Sequence, residues 1–356
     1  SNDIKREKVA SPNWNGAFAL ATLHTEVTDM VDLRIAAPAD VLHNNILEMA
    51  GWLGYANTRL EWRSTILREL GNMFVAPMQY SLARERIAAA LVSTRDRGVE
   101  RVFSTGATHP NPHVRLLSVL GLGAIRAENS VVDVASLLDD PDDQVKLGAA
   151  LALGAIGTEP ALEEMVIAFT TPNERIQQAI AEAFAAIPDE GYPVLYDAAD
   201  HQDMALRRAA VFGLRRINTD WAMVSVYRRM LEDDQWYVRS AAEIAFSGMN
   251  YGDAAQGPYL YPPVEGIPWV REWISSLGDV AQQTTKPEQF LPKAMQEASP
   301  DLQELAASNI GQLGLMHDVA LLYTALRHRD SRVREASHRA LGDLQLRTGQ
   351  PLPAPM

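Results

Sequence analysis

Apolar residues recur along this chain with the period of one helical face, best seen in Val145-Lys146-Leu147-Gly148-Ala149-Ala150-Leu151-Ala152-Leu153-Gly154-Ala155-Ile156. With Val145 as position zero, apolar or small residues fall at zero, +4, +5, +7, +8 and +11, Lys stands at +1 and Gly at +9. That spacing predicts an amphipathic helix with a broad buried stripe. The template repeats from Val114-Arg115, Ile176, Leu206-Arg207, Val238-Arg239, Leu302 and Val333-Arg334. The anchors 114, 145, 176, 206 and 238 are 30 to 32 residues apart, and 302 to 333 is again 31. Trp269-Val270-Arg271 supplies a weaker copy between 238 and 302, and Trp62-Arg63 an outlying one.

A second apolar helix precedes each template helix, separated from it by a short polar turn. Val131 to Leu138 leads into Asp139-Asp140-Pro141-Asp142-Asp143, and Leu321 to Leu326 into Arg329-Asp330-Ser331. Acidic and small residues at such turns satisfy the free N–H groups of the next helix and suit its dipole, while Pro stops the one before. Glycine costs about 1 kcal/mol against Ala in an exposed helix, so its recurrence at +9 predicts close approach by a neighbouring helix or the helix end. The fold class predicted is all-α, an α-solenoid (superhelix) of helix pairs with a period of about 31 residues.

The turn Asp140-Pro141-Asp142-Asp143-Gln144-Val145-Lys146 and the helix Ala150-Leu151-Ala152-Leu153-Gly154-Ala155-Ile156 resemble the HEAT-repeat family. More narrowly they are similar to the short bacterial HEAT-like repeats related to phycobilin lyase subunits. The resemblance covers 109 to 249 and, less closely, 269 to 346. It implies a solenoid and is nearly silent on function, because such folds host many roles. The organisation expected is an N-terminal helical region over 1–108, regular HEAT-like repeats over 109–249, a loop insertion over 250–268, C-terminal repeats over 269–346 and a tail over 347–356. Ala39 to Tyr55 and Gln79 to Ser93 look helical without following the template; they either cap the stack or form a partner-binding domain.

The segment 250–268 breaks the pattern, for its four prolines and three glycines forbid a regular helix where a first helix is due. Long loops inside a compact fold are commonly functional. Tyr251, Tyr259 and Tyr261, with Trp236 and Tyr237 before them and Trp269 and Trp273 after, make this the most aromatic region of the chain. Aromatics anchor protein interfaces, so these seven are the candidate binding residues, against the alternative that the tyrosines only pack the loop onto the stack.

Composition narrows the partner class. The formal net charge is −13, and residues 109 to 248 carry roughly ten net negative charges. Neutralising nucleic-acid phosphates requires clustered Lys and Arg, so nucleic acid and anionic membrane surfaces are excluded as partners. The absence of cysteine rules out disulfides, thiolate metal sites and a Cys nucleophile. No stretch approaches a membrane span and no signal peptide precedes Asn2. The compartment expected is the cytoplasm, with the start at Ser1-Asn2 also fitting a processed chain.

No catalytic constellation, metal or cofactor is expected. His109 and His113 have ligand-like spacing, but Pro110 and Pro112 make that stretch a turn. His328 and His338, flanked by arginines, read as solvated. The iron-binding HEAT hydroxylases carry His-Glu pairs, and this sequence has none. Gly121-Leu122-Gly123-Ala124-Ile125-Arg126 ends a helix and does not follow a strand, so it is a packing feature and not a dinucleotide loop. The HEAT-like DNA glycosylases need a basic groove, at odds with the acidic middle. Arg115, Lys146, Arg207, Arg239 and Arg334, at +1, predict a ladder pairing with turn acids such as Asp142 or Asp234. The function expected is a non-enzymatic scaffold or adaptor that binds another protein, with a phycobilin-lyase-like subunit or an interaction domain of a larger protein as alternatives.

Overall fold

A computed structural model describes residues 14–25, 27–56, 60–251, 268–277 and 287–355. Its helices are α1 (Asn15–Ala21), α2 (Thr28–Ile35), α3 (Asn44–Leu53), α4 (Glu61–Val75), α5 (Ser81–Ser93), α6 (Gly98–Gly106) and α7 (Pro112–Ala124). They continue as α8 (Val131–Ser136), α9 (Asp143–Ile156), α10 (Glu159–Thr170), α11 (Glu174–Phe184), α12 (Pro188–Ala199), α13 (Met204–Leu214), α14 (Asp220–Glu232) and α15 (Trp236–Tyr251). The last are α16 (Pro268–Ser276), α17 (Leu291–Glu297), α18 (Pro300–Leu313), α19 (Val319–Ala325) and α20 (Ser331–Thr348). Among the described residues the β-structure is confined to an isolated bridge between Asp40 and Pro353. The fold is all-α, an α-solenoid of helix pairs. No described helix is long and apolar enough to cross a membrane.

The chain divides into two compact units, a repeat unit of residues 95–259 and a terminal unit of residues 1–94 with 260–356. In the repeat unit the template helices α7, α9, α11, α13 and α15 pack each on the next, and each is paired with the helix before it. Positions zero, +4 and +8 form the buried stripe, as Val145, Ala149 and Leu153 in α9 and Leu206, Ala210 and Leu214 in α13. Each large apolar side chain sealed in this way contributes about 1.5–3 kcal/mol. The +9 glycine marks the close approach expected of it. A Cβ on Gly123 would fall 2.7 Å from the Cα of Ala152, and one on Gly154 3.1 Å from the Cβ of Ala183.

The turns between paired helices share one hydrogen-bonded design. Asn111, Asp142, Asn173, Asp203 and Asp330 cap the helices that follow them, each accepting from backbone N–H groups of the first turn. Three residues before the helix a side chain accepts from the N–H of that cap: His109, His201 and His328 through Nδ1, at 3.0–3.1 Å. Asp140 and Asp233 do the same through Oδ1. The +1 arginine then closes the turn from inside. Arg115 donates to the carbonyls of His109 and Pro110, Arg207 to those of His201 and Gln202, Arg239 to those of Asp233 and Asp234, and Arg334 to those of His328 and Arg329. These ends of the preceding helices would otherwise leave carbonyl groups unpaired.

In the terminal unit Val41, Leu42, Val270, Leu291, Ile310, Leu322, Leu341 and Leu352 share one core, which joins residues from both ends of the sequence. Val41 N–H donates to the carbonyl of Leu352 at 2.7 Å, and Ser81 N–H to Glu335 Oε2 at 2.9 Å. Helix α5 packs on α20, and Tyr80 stacks on His338 with ring centroids 4.1 Å apart. His338, read from sequence as solvated, is instead buried. It stands at +5 of its helix, on the stripe the template assigns to the core, and the flanking arginines point elsewhere.

Candidate functional site

Helices α11, α13 and α15 lie side by side in the repeat unit, so residues one repeat apart in sequence become neighbours on their outward face. Glu174 opens α11, Arg208 begins the second turn of α13, and Trp236 and Tyr237 open α15. The Arg208 guanidinium carbon lies 4.2 Å from the Tyr237 ring centroid and 5.1 Å from that of Phe212. Arg208 Nη1 donates to Glu174 Oε2 at 3.3 Å, and the Tyr237 hydroxyl donates to the same oxygen at 3.1 Å. A cation held between two aromatic faces and tied to a carboxylate is fixed in one rotamer before any partner arrives.

Trp236 completes the cluster. Its ring meets Tyr237 edge-on, with centroids 5.6 Å apart and planes at 65°, yet 68% of the residue remains exposed. A tryptophan at a helix start has no structural need to stand in water, and leaving it there forgoes about 1.5–3 kcal/mol of burial. Beside the cluster Arg175 pairs with Asp143, and Arg216 donates to Glu182 at 3.0 Å, so the surrounding face is a lattice of ion pairs between adjacent template helices. The arrangement offers rigid aromatic and guanidinium surface for recognition. Among the described residues no group of three or more His, Asp or Glu could hold a metal ion.

Of the seven candidate residues, Trp236 and Tyr237 fall in this cluster. Tyr251 is the last residue of α15, while Tyr259 and Tyr261 lie outside the described residues. Trp269 and Trp273 belong to the terminal unit, where both pack against its core and Trp269 Nε1 donates to Asn309 Oδ1 at 3.1 Å. Glu174, Arg208 and Phe212 escaped the sequence reading. The signal for Glu174 and Arg208 was positional: they stand at −2 and +2 of their templates and Tyr237 at −1, within about one turn of each other on adjacent helices.

The +1 ladder forms in part: Arg115 and Arg207 pair with turn acids of the next repeat, the expected Asp234 among them, whereas Lys146 pairs with Asp143 of its own turn and Arg239 and Arg334 donate to turn carbonyls. Arg115 Nε and Nη2 meet Asp140 at 2.7 and 2.8 Å, and Arg207 Nε and Nη2 meet Asp233 at 2.8 and 3.0 Å. Asp234 is a second, exposed partner of Arg207, and Asp142 is occupied as a helix cap. The bond to Arg115 holds the Asp140 carboxyl below the usual carboxylate range against the opposing effect of burial. Burial pushes Asp233 up more strongly, but the bonds from Arg207 and the Gln235 N–H outweigh it and leave the carboxyl low.

Comparison with known proteins places the family. The HEAT-repeat profile matches residues 99–185 and 163–247, so this part of the chain is built of HEAT repeats, as the turn and helix motifs suggested. Among solved structures the chain is similar to human deoxyhypusine hydroxylase at 16% identity, over 79% of this chain and 96% of that one, with a TM-score of 0.36. It is similar to the CpcE–CpcF complex of phycocyanin lyase from Nostoc sp. at 15% identity, over 69% and 94%, with a TM-score of 0.30. It is also similar to Kap95p in its complex with RanGDP, at 14% identity, over 98% of this chain and 49% of that one, with a TM-score of 0.39. No curated protein matches the sequence. Similarities this distant carry nothing about activity or partners.

Proposed function

We propose that this HEAT-repeat chain is a non-enzymatic scaffold that binds another protein on the face of its template helices, at the cluster of Trp236, Tyr237, Arg208 and Phe212. The observation that supports this reading is the exposed Trp236 ring set against a preorganised Tyr237–Arg208–Phe212 stack. Interfaces draw most of their affinity from a few Trp, Tyr and Arg side chains whose conformations are fixed in advance.

The test is site-specific photocrosslinking of the full chain in its native cells, with benzoylphenylalanine in place of Trp236 or, as a control, Val132 on α8. A defined protein adduct at 236 and not at 132 is expected. Trp236→Ala and Tyr237→Ala should each weaken binding of the purified partner about tenfold or more, the range of a hot-spot residue. If position 236 gives no adduct of its own and Trp236→Ala alters no association, the proposal fails.

A further inference from the structure

On the opposite helices of the repeat unit a second surface stands out. The first helices α8 and α10 pack together, as do α12 and α14, whereas α10 and α12 approach each other less closely. Between them lies a cleft of about 760 Å³ lined by Gly157, Glu159, Leu162, Glu163, Val166, Ile167 and Glu190. Leu162 and Val166 are four apart and form one ridge of α10, with Glu159 and Glu163 on the ridge beside it. Val166 is 42% and Ile167 60% exposed, so the apolar floor is open to solvent.

The charge around this floor is one-sided. No Lys, Arg or His occurs from 147 to 174 or from 176 to 200, while Glu159, Glu163, Glu164, Asp189, Glu190 and Asp197 all fall in those stretches. The nearby arginines are spent on other acids: Arg175 on Asp143, Arg208 on Glu174, Arg216 on Glu182 and Arg229 on Asp200. Glu159, Glu163 and Glu190 stand exposed and form no ion pair among the described residues. An apolar ridge bordered by unneutralised acids complements a helix whose apolar stripe is bordered by Lys or Arg.

We infer that the α10–α12 cleft is a docking site for a basic amphipathic helix of a partner protein, with Leu162, Val166 and Ile167 meeting its apolar stripe and Glu159, Glu163 and Glu190 its flanking cations. The site stands apart from the Trp236 face and does not depend on it.

The experiment uses the full chain and a fluorescein-labelled amphipathic peptide of Leu and Lys, about five helical turns long, with its Leu and Glu counterpart as control. Anisotropy should show saturable binding of the Lys peptide, weakening as salt is raised, and none of the Glu peptide. Val166→Ser with Ile167→Ser leaves the charge unchanged and should weaken binding about tenfold or more, as for loss of a buried anchor. Glu163→Lys with Glu190→Lys should abolish it and admit the Glu peptide. These positions are on the surface, and an unchanged circular-dichroism melt confirms that each variant is folded. Trp236→Ala should leave the titration unaltered, which separates failure here from failure of the scaffold reading. No binding by the wild type overturns the inference. Binding lost on charge reversal but untouched by the two serines overturns it equally, since that is attraction to an acidic surface and not docking in a cleft.

Discussion

The guanidinium of Arg207 bridges two repeats, donating through Nε and Nη2 to both carboxylate oxygens of Asp233 while Nη1 holds the carbonyls of His201 and Gln202. Arg115 and Asp140 repeat the relationship. In four repeats the +1 residue and the turn residue of the next repeat vary together. Where +1 is Arg115 or Arg207, the following turn has Asp140 or Asp233; where it is Gln177 or Gln303, the following turn has His201 or His328. In these four turns either side chain accepts from the cap N–H, whereas after Lys146 the Asn173 N–H donates to the backbone carbonyl of Thr171. Asp can be buried there only if a cation faces it, whereas neutral His needs none.

Replacing Arg207 with Gln removes both close bonds to the buried Asp233 carboxylate, leaving it only Arg229 at 3.4 Å, and is expected to cost about 3 kcal/mol. The double variant Arg207→Gln with Asp233→His recreates the Gln–His pairing and should recover most of that loss. Urea denaturation of the four members of the cycle measures the coupling; a value near zero removes the argument. Both paired carboxyls have pKa values below the ordinary range in the folded state. Their stabilisation is complete above the unfolded carboxylate value of about 4 and is lost as pH falls through the folded values.

Gly123 gives a prediction of opposite sign to the usual helix rule. In an open helix Gly→Ala gains about 1 kcal/mol, and Gly51, whose added Cβ meets nothing within 4 Å, should show that gain. At Gly123 the new methyl would lie 2.7 Å from the Ala152 Cα, a backbone atom that cannot turn aside. Gly123→Ala is expected to cost about 1–3 kcal/mol through overpacking. Thermal melts of the two variants should shift in opposite directions, and a stabilised Gly123→Ala would show that the repeats are not locked at this contact.

The repeat was legible because each copy restates it: Val145, Ala149 and Leu153 recur as Leu206, Ala210 and Leu214, and Asp142 and Asp203 cap in register. What could not be read were contacts made once. The hydrogen bond from Ser81 to Glu335 spans 254 residues and leaves no period, so nothing in residues 39–94 announced that they pack against the final helices. The Glu174–Arg208–Tyr237 cluster falls between these cases. Its residue types are unremarkable one by one, and it emerges only when positions −2, +2 and −1 of three successive templates are set side by side. His338 misled because its neighbours are charged, although helix phase already placed it on the buried stripe.

That buried histidine sets how the terminal unit responds to acid. Burial, with smaller contributions from the charges of His43 and Arg339, pushes the His338 pKa down from 6.5 to about 4. The unfolded chain takes up its proton first, so stability is intact above pH 6.5 and is lost as pH falls from there towards 4. Two and a half units correspond to a loss of up to about 3 kcal/mol. His43, also lowered chiefly by burial, acts in the same direction. Asp343, raised by burial, acts oppositely, because its folded state binds a proton first and gains stability on acidification. Replacing His338 by Phe keeps the flat contact with Tyr80 and removes the group that takes up the proton. Urea titrations at pH 7, 6 and 5 should show the wild type losing more stability than His338→Phe over that interval. Parallel slopes would mean that the ring is protonated in the folded state or is not buried against Tyr80.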